Sequence, residues 1–133
     1  MSETLRLEVV TPQREMVEAE VTTVEMPGTL GELGVLPGHT HLLTSLATGE
    51  LRYRTAKGVE KMVIQGGFAE VMPDRVTVLA DLAEWPKDVD LEAARRDRDE
   101  VQTAMKTATA EQLDELTARL RLAETRIAAA AGA

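Results

Sequence analysis

The apolar and polar positions of this chain follow one period before Trp85 and another after it. In the first part, apolar residues recur at every second position, as at Leu5, Leu7 and Val9, with charged residues between them. A period of two places alternate side chains on opposite faces of a β-sheet. The pattern therefore predicts a strand at the start of the chain with one buried face.

Similar alternation returns in short segments that are separated by turns containing glycine or proline. The predicted strands include residues 21–26, 51–54, 61–64, 68–72 and 75–79. Pro73 and Asp74 form a tight turn between the last two, and Gly66 and Gly67 are expected to form a turn or bulge before Phe68. Many short strands joined by such turns indicate a β-sandwich or barrel, and we predict a small β-sandwich over residues 1–86.

Beyond residue 86 the apolar residues recur at steps of three and four, which is the helical period. Asp88 or Asp90 is expected to cap a first helix, and Thr109 with Gln112 matches a capping box for a second. The apolar stripe of the second helix consists of Leu113, Leu116, Leu120, Ala123 and Ile127. The predicted fold class is β plus α: an N-terminal β-sandwich followed by a C-terminal antiparallel two-helix hairpin, residues 87–133.

The predicted hairpin has a thin apolar seam, because alanines occupy positions where larger side chains would bury more surface. In the first helix Ala94 lies on the seam and Arg98 interrupts it. Burying a leucine contributes roughly 1.5 to 3 kcal/mol, whereas ordering one residue's backbone costs about 1 to 2 kcal/mol. Helices of this length are marginal alone in water. The seam is thus compatible with a hairpin that docks and undocks.

Composition excludes several classes of function. The chain has 133 residues, a formal charge of −8, no cysteine and 2% aromatic residues. Nucleic-acid binding relies on Lys and Arg against phosphates and often on aromatic stacking, so no nucleic-acid partner is expected. No apolar run approaches the ~18 residues that a membrane span requires. Contact with a membrane is therefore expected only indirectly, through partner proteins.

The two histidines, His39 and His41, are separated by one residue and would point the same way in an extended segment. A metal site is geometrically possible there, but no cysteine or further histidine completes it, and Glu32 lies across a Gly-Pro turn. Structural or interface roles are the favoured interpretation, so no metal site is predicted. A small metal-dependent enzyme built on both histidines remains an alternative.

The glycine-rich stretch around these histidines does not have the features of a phosphate-binding loop. It leads into a strand-like run and not into a helix, and it contains no Lys-Ser or Lys-Thr pair. Serine occurs only at Ser2 and Ser45, without an adjacent base. The carboxylates near the helix starts are explained by the helix dipole. We therefore predict no catalytic residues and no cofactor.

Two long stretches closely resemble the signature sequences of the epsilon subunit of F-type ATP synthase. They are GELGVLPGHTHLLTSLATGEL, residues 31–51, and VIQGGFAEVMPDRVTVLADLAE, residues 63–84. The opening strands are also similar to that family, and the helical region resembles it in length and layout. The resemblance implies a ten-stranded β-sandwich, a helical hairpin and a non-catalytic role in the rotor, or central stalk, of the ATP synthase.

The resemblance also implies protein contacts at the glycine-rich stretch. In this family the sandwich binds the gamma subunit and the foot of the c-ring. The residues that correspond to the contact surface are Gly31, Glu32, Leu33, Gly34, Pro37, Gly38 and His39. The implied function is to link gamma to the c-ring during proton-driven ATP synthesis.

The hairpin corresponds to the family's regulatory part, which permits ATP hydrolysis when folded on the sandwich and inhibits it when extended toward the alpha and beta subunits. Arg119, Arg121 and Arg126 are similar to basic positions that meet an acidic segment of beta, although pairing with nearby carboxylates on a solvated helix is an equal alternative. Some members bind ATP through an arginine in the first helix, at a position that Ala93 occupies here. Arg95 or Arg96 is an alternative source of that charge, but a one-residue step turns a helical side chain by ~100°, so the substitution is not conservative. The segment Val89-Asp90-Leu91-Glu92-Ala93-Ala94 is therefore expected to bind ATP weakly or not at all.

The resemblance implies a peripheral subunit at the cytoplasmic face of the bacterial inner membrane. A bacterial location is favoured over an organelle because the first residues lack features of a signal or transit peptide, and a mature organellar chain is the alternative. A β-sandwich adaptor whose helical tail binds an unrelated partner is the leading alternative function. Co-purification with gamma distinguishes the two.

Overall fold

The computed structural model describes residues 3–132, which form an eight-stranded sheet followed by two helices. This confirms the predicted fold class. The strands are β1 (Leu5–Val10), β2 (Glu15–Val21), β3 (Thr23–Gly28), β4 (Gly31–Val35), β5 (Leu42–Ser45), β6 (Thr48–Thr55), β7 (Gly58–Met72) and β8 (Arg75–Glu84). A short 3-10 helix, Pro86–Asp88, leads to α1 (Leu91–Met105) and α2 (Ala110–Ala131).

The strands are connected in the order β2-β1-β8-β7-β6-β3-β4, and β5 pairs with β7. The pairing of β1 with β8 is parallel, and the other pairings are antiparallel. Strands β2 and β6 are distant in this order but pack against each other. The sheet therefore folds over on itself and encloses one core.

That core is built from the inward positions of the alternating strands. Leu5, Leu7 and Val9 on β1 are buried, as their period predicts. They belong to one apolar cluster with Val24, Met26, Leu51, Met62, Ile64, Val71 and Val78 from other strands. Burial of these side chains supplies the main favourable free energy of the sandwich.

Strand β7 differs from the prediction, because the two segments expected on either side of Gly66 and Gly67 form one continuous strand of 15 residues. The chain passes through both glycines with φ of +67° and +101° without leaving the strand. The first part of β7 pairs with β6 and the last part pairs with β5. On its other edge, β7 pairs with β8 on both sides of the glycines. Residues 3–132 accordingly contain eight strands and not the ten that the resemblance implies, since β7 and β8 each run unbroken through both parts of the sheet.

The helices begin where the sequence predicts and pack as an antiparallel hairpin. Asp90, one of the two proposed caps, accepts a hydrogen bond from the N–H of Ala93 at 3.0 Å. Thr109 and Gln112 form the predicted capping box. The seam is thin: the fully buried side chains of the two helices are those of Ala94, Val101, Ala123 and Ala129.

Neither helix within residues 3–132 combines the length and the apolar character needed to cross a lipid bilayer.

Candidate protein-contact surfaces

The first part of the predicted contact surface lies on β4, an edge strand that pairs only with β3 within the described residues. Gly31, Glu32 and Gly34 are exposed, whereas Leu33 packs against the core. The side chain of Leu30, at the tip between β3 and β4, is 100% exposed. This edge presents a fixed backbone with few side chains, which suits a close contact with another protein.

Glu32 of β4 belongs to a small charged network with Arg52 and Glu50 of β6. Its carboxylate lies 4.0 Å from the guanidinium of Arg52, which also donates a hydrogen bond to Glu50 at 3.0 Å. Because Glu32 is mostly exposed, this ion pair contributes little to stability. The charge of Glu32 therefore remains accessible to a partner.

The second part of the predicted surface, Pro37, Gly38 and His39, forms a separate turn. The N–H of Gly38 donates to the carbonyl of Pro73 at 2.8 Å, which ties this turn to the turn between β7 and β8. His39 Nδ1 donates to the carbonyl of Thr40 at 2.7 Å. The strand β4 and this turn thus have different neighbours, and each is held firmly to the sandwich.

The two histidines have separate partners. His41 Nε2 lies 3.3 Å from a carboxylate oxygen of Glu70, whereas His39 bonds to backbone. Among residues 3–132, the group whose carboxylate oxygens come within 4.8 Å of one another is Glu8, Glu15 and Glu18, and neither histidine belongs to it. The hydrogen bond and the negative charge of Glu18 raise the pKa of Glu15 above 4.5. Exposed carboxylates of this kind are common without a metal ion.

An exposed apolar row on the outer face of β5, β7 and β8 was not identified from the sequence. Phe68 and Leu79 are direct cross-strand partners and are 57% and 55% exposed. Leu43, 67% exposed, pairs with Glu70 and is therefore a diagonal neighbour of Phe68. Contiguous exposed apolar side chains of this kind mark protein interfaces. The available signal was that two of the three outward positions of residues 68–72, Phe68 and Met72, are apolar.

The three arginines predicted to meet the beta subunit are in different environments. Arg119 Nη2 donates to Asp97 of α1 at 3.2 Å, so this pair lies within the hairpin. Arg121 is exposed and lines a groove between α2 and the sheet, together with Glu32 and Arg52. Arg126 joins α2 to the sheet through Glu84, the last residue of β8, with bonds of 2.7 and 2.8 Å. The structure therefore places two of the three in ion pairs.

A groove of about 400 Å³ lies between the end of β8 and α1 and includes Ala93. Five carboxylate residues and two arginines line it: Glu84, Asp88, Asp90, Asp97, Glu100, Arg96 and Arg126. One of the two arginines, Arg126, is already bound by Glu84. The remaining charge of the groove is negative, which is unfavourable for a polyphosphate.

Comparison with known proteins identifies a family. The family model for the ATP synthase Delta/Epsilon chain, beta-sandwich domain, matches residues 4–86. The ATP synthase epsilon chain of Desulfosudis oleivorans is 44% identical over 108 residues, which cover 80% of this chain and 81% of the relative. The epsilon chain of Syntrophobacter fumaroxidans is 38% identical over 132 residues, covering 93% and 98%.

Solved structures share the fold at lower sequence identity. A chain of the Euglena gracilis mitochondrial ATP synthase superposes with a TM-score of 0.85 at 23% identity, covering 97% of this chain and 82% of that one. A chain of the central stalk and c-ring of the Tetrahymena thermophila mitochondrial ATP synthase gives 0.68 at 15% identity, covering 95% and 96%. With a relative matched across both sandwich and hairpin, this chain belongs to the family of ATP synthase epsilon chains, which are non-catalytic subunits of that enzyme.

Proposed function

We propose that this protein is a central-stalk subunit of a bacterial F-type ATP synthase, where it links the gamma subunit to the c-ring during proton-driven ATP synthesis. The observation that carries the proposal is the match to the Syntrophobacter fumaroxidans epsilon chain over 132 residues, because it includes both the sandwich and the hairpin. The similarity to a chain of the Tetrahymena thermophila central stalk supports the same place in the assembly. Residues 1–86 form the rotor-binding unit.

The apolar row of Leu43, Phe68 and Leu79 is the proposed contact with gamma. These side chains lie on neighbouring strands, and a long-lived subunit contact gains most of its free energy from burying such surfaces. A sandwich whose strands are all hydrogen-bonded into one sheet also resists the torque of a rotating shaft better than loops would.

The proposed contact with the c-ring is formed by the exposed residues of β4 and by the turn of Pro37, Gly38 and His39. Glycines at 31 and 34 allow close approach of a partner's backbone. Glu32 offers a charge to polar loops of the ring, and its loose pairing with Arg52 leaves that charge available. The membrane is then reached only through the ring, at the cytoplasmic face of the inner membrane.

Residues 87–133 are the proposed regulatory unit. The hairpin lies on the sandwich in this structure, and we propose that it inhibits ATP hydrolysis when it extends along gamma toward alpha and beta. Arg119, Arg121 and Arg126 would then meet acidic residues of beta. Arg126 pairs with Glu84 in the folded arrangement, so it has to leave Glu84 before it can pair with an acidic residue of beta.

The test uses the assembled ATP synthase with and without residues 88–133. We expect the shortened subunit to keep the complex coupled and to raise the rate of ATP hydrolysis, because the block to rotation is gone. An unchanged hydrolysis rate contradicts the inhibitory role. Failure of the intact chain to co-purify with gamma contradicts the stalk assignment itself and favours an adaptor with another partner.

A further inference from the structure

The hairpin is attached to the sandwich mainly through the second half of α2. Helix α1 packs on α2, whereas α2 packs on β6, β7 and the short 3-10 helix. Residues 110–115 of α2 are exposed, and Ala123 and Ala129 farther along are buried. The position of the whole hairpin therefore depends on a short part of one helix.

On the helix side, the apolar contribution of this attachment is small. The buried side chains of α2 are alanines, and Ile127 is only partly buried. Burial free energy scales with apolar area, so a methyl group contributes much less than the leucine or isoleucine side chains found in the sandwich core. Polar contacts consequently account for a larger share of the docking free energy than they do in the core.

The main polar contact is the pair of Arg126 with Glu84. Both oxygens of the carboxylate accept hydrogen bonds from the guanidinium, at 2.7 and 2.8 Å. Side-chain exposure is 24% for Arg126 and 27% for Glu84, and no other ion pair within residues 3–132 has both side chains covered to this extent. Bidentate charge-assisted bonds with limited exposure are stronger than surface ion pairs.

The position of the pair matters as much as its strength. Glu84 is the last residue of β8 and stands just before the 3-10 helix that connects sandwich and hairpin. A second cation lies nearby: a Cβ placed on Gly132 would be 3.2 Å from Lys61 Nζ, so the ammonium of β7 faces the last turn of α2. Helix C-termini favour positive charge, and α2 has no basic residue of its own in that turn.

We propose that the Glu84–Arg126 pair is the latch that holds the hairpin on the sandwich, with Lys61 as a supporting contact at the end of α2. Loss of the pair releases α2 from β6 and β7, and α1 leaves with it because α1 is held through α2. This proposal refines the regulatory role above, yet it concerns a property of the isolated chain.

The latch is tested by labelling a buried cysteine, because the native chain contains no cysteine. Ala129, 0% exposed on α2, is replaced by cysteine, and its reaction with a thiol reagent then proceeds through the undocked state. In this background, Arg126→Gln and Glu84→Gln are expected to accelerate labelling roughly tenfold, since each removes a charge-assisted pair. The exchanged pair, Glu84→Arg with Arg126→Glu, is expected to label slowly again.

Two controls define the interpretation. Arg119→Gln removes the ion pair with Asp97 inside the hairpin and is expected to leave the labelling rate within about twofold, as for an exposed pair. In a second background, Ala69→Cys places the thiol in the sandwich core, where Ala69 is 0% exposed. This thiol reports global unfolding and is expected to react at the same slow rate in every variant.

The quantity scored is the labelling rate in the Ala129→Cys background divided by the rate in the Ala69→Cys background. A variant that merely destabilises the whole chain raises both rates and leaves this ratio unchanged, whereas release of the hairpin raises the ratio. The latch is refuted if Arg126→Gln leaves the ratio at the parent value, or if Arg119→Gln raises it as much as Arg126→Gln does. The labelling results do not depend on ATP hydrolysis, so the latch and the inhibitory function fail separately.

Discussion

Phe68 of β7 and Leu79 of β8 stand directly opposite each other on the outer face of the sheet, and more than half of each side chain is exposed. On the other face of the same strands, Ala69, Val71, Val76 and Val78 are buried in the core. These two strands therefore carry apolar side chains on both faces. Exposed apolar side chains that lie side by side favour a covering partner, and the proposed partner is gamma.

Replacing Phe68 by serine is expected to weaken binding to gamma without unfolding the chain. Truncation of an aromatic side chain at the centre of an interface typically costs more than about 1 kcal/mol of binding free energy, or a factor of about five to ten in Kd. The affinity of purified gamma for the parent and variant chains, measured by surface plasmon resonance, checks this. The thermal midpoint of the isolated chain should change little because Phe68 is exposed.

Val59 supplies the matched control. It lies on the same strand, is 53% exposed, and belongs to a different surface beside Trp85 and Pro86. Val59→Ser should bind gamma as tightly as the parent chain. If both serine variants bind like the parent, the apolar row is not the gamma contact; if both lose affinity equally, the loss is not specific to the row.

Gly31 and Gly67, two of the five glycines with positive φ, are expected to respond differently to replacement by alanine. At Gly67, with φ of +101°, an added Cβ would meet the backbone of β8, including Ala80 Cα at 2.9 Å. At Gly31, with φ of +129°, no atom lies within 4 Å of the added Cβ. Gly31→Ala should cost about 1 kcal/mol of unfolding free energy from backbone strain alone, and Gly67→Ala more than about 3 kcal/mol.

Urea unfolding of both variants measures this difference in unfolding free energy: the midpoint of the transition shifts, while the dependence of the free energy on urea concentration stays the same. Equal losses for the two variants would show that strain in φ, and not the approach of β8, limits both positions. A loss at Gly67 well above that at Gly31 would show that β7 and β8 require a residue without a side chain where the long strand passes from one part of the sheet to the other.

Local patterns carried much of the fold prediction. The alternation at Leu5, Leu7 and Val9 reports which face is buried, and the capping box at Thr109 reports where α2 begins, because both depend on residues within a few positions of each other. The continuity of β7 depends on β8 instead. Two adjacent glycines are typical of turns, and only the hydrogen-bonded neighbour keeps them in one strand.

The contact surfaces were predicted less completely because they depend on distant residues. Arg126 was identified as a candidate, but its partner Glu84 lies 42 positions away and has no pattern that marks it. The exposure of Phe68 likewise follows from the order of the strands and not from its own neighbours. Sequence similarity indicated where contacts are expected, whereas pairing and exposure come from tertiary structure.

Tyr53, the single tyrosine of the chain, is expected to ionise above its usual pKa of 10.0. Burial raises the pKa of this phenol, and the negative charge of Glu60 raises it further. Since the folded state then retains the proton after the unfolded state has lost it, the stability contribution of Tyr53 is complete below pH 10 and is lost as pH rises through the folded pKa.

Absorbance at the phenolate band, followed against pH, measures this ionisation without interference from other tyrosines. Tyr53→Phe should remove the part of the alkaline loss of stability that belongs to the phenol. A phenol that titrates at or below its usual pKa in the folded chain would contradict the prediction.

The last prediction concerns ATP, which some members of the family bind at the hairpin. The groove beside Ala93 contains more carboxylates than guanidinium groups, and Arg126 already forms an ion pair with Glu84. A nucleotide's phosphates would therefore meet net negative charge and have to displace an internal carboxylate. Isothermal titration of the isolated chain with ATP and magnesium should show no saturable heat at micromolar nucleotide.

Changing the groove provides the comparison. The double variant Ala93→Arg with Glu100→Gln adds one positive charge to the groove wall and removes one negative charge, and it keeps the pair of Glu84 with Arg126. The control, Glu3→Arg, changes the net charge of the chain by the same two units at an exposed position outside the groove. The groove variant should gain affinity for ATP over this control because its field now favours phosphate. Saturable micromolar binding by the parent chain would contradict the prediction, and Arg96, which lines the same groove as Ala93, would then be the first candidate for a contact with the phosphates.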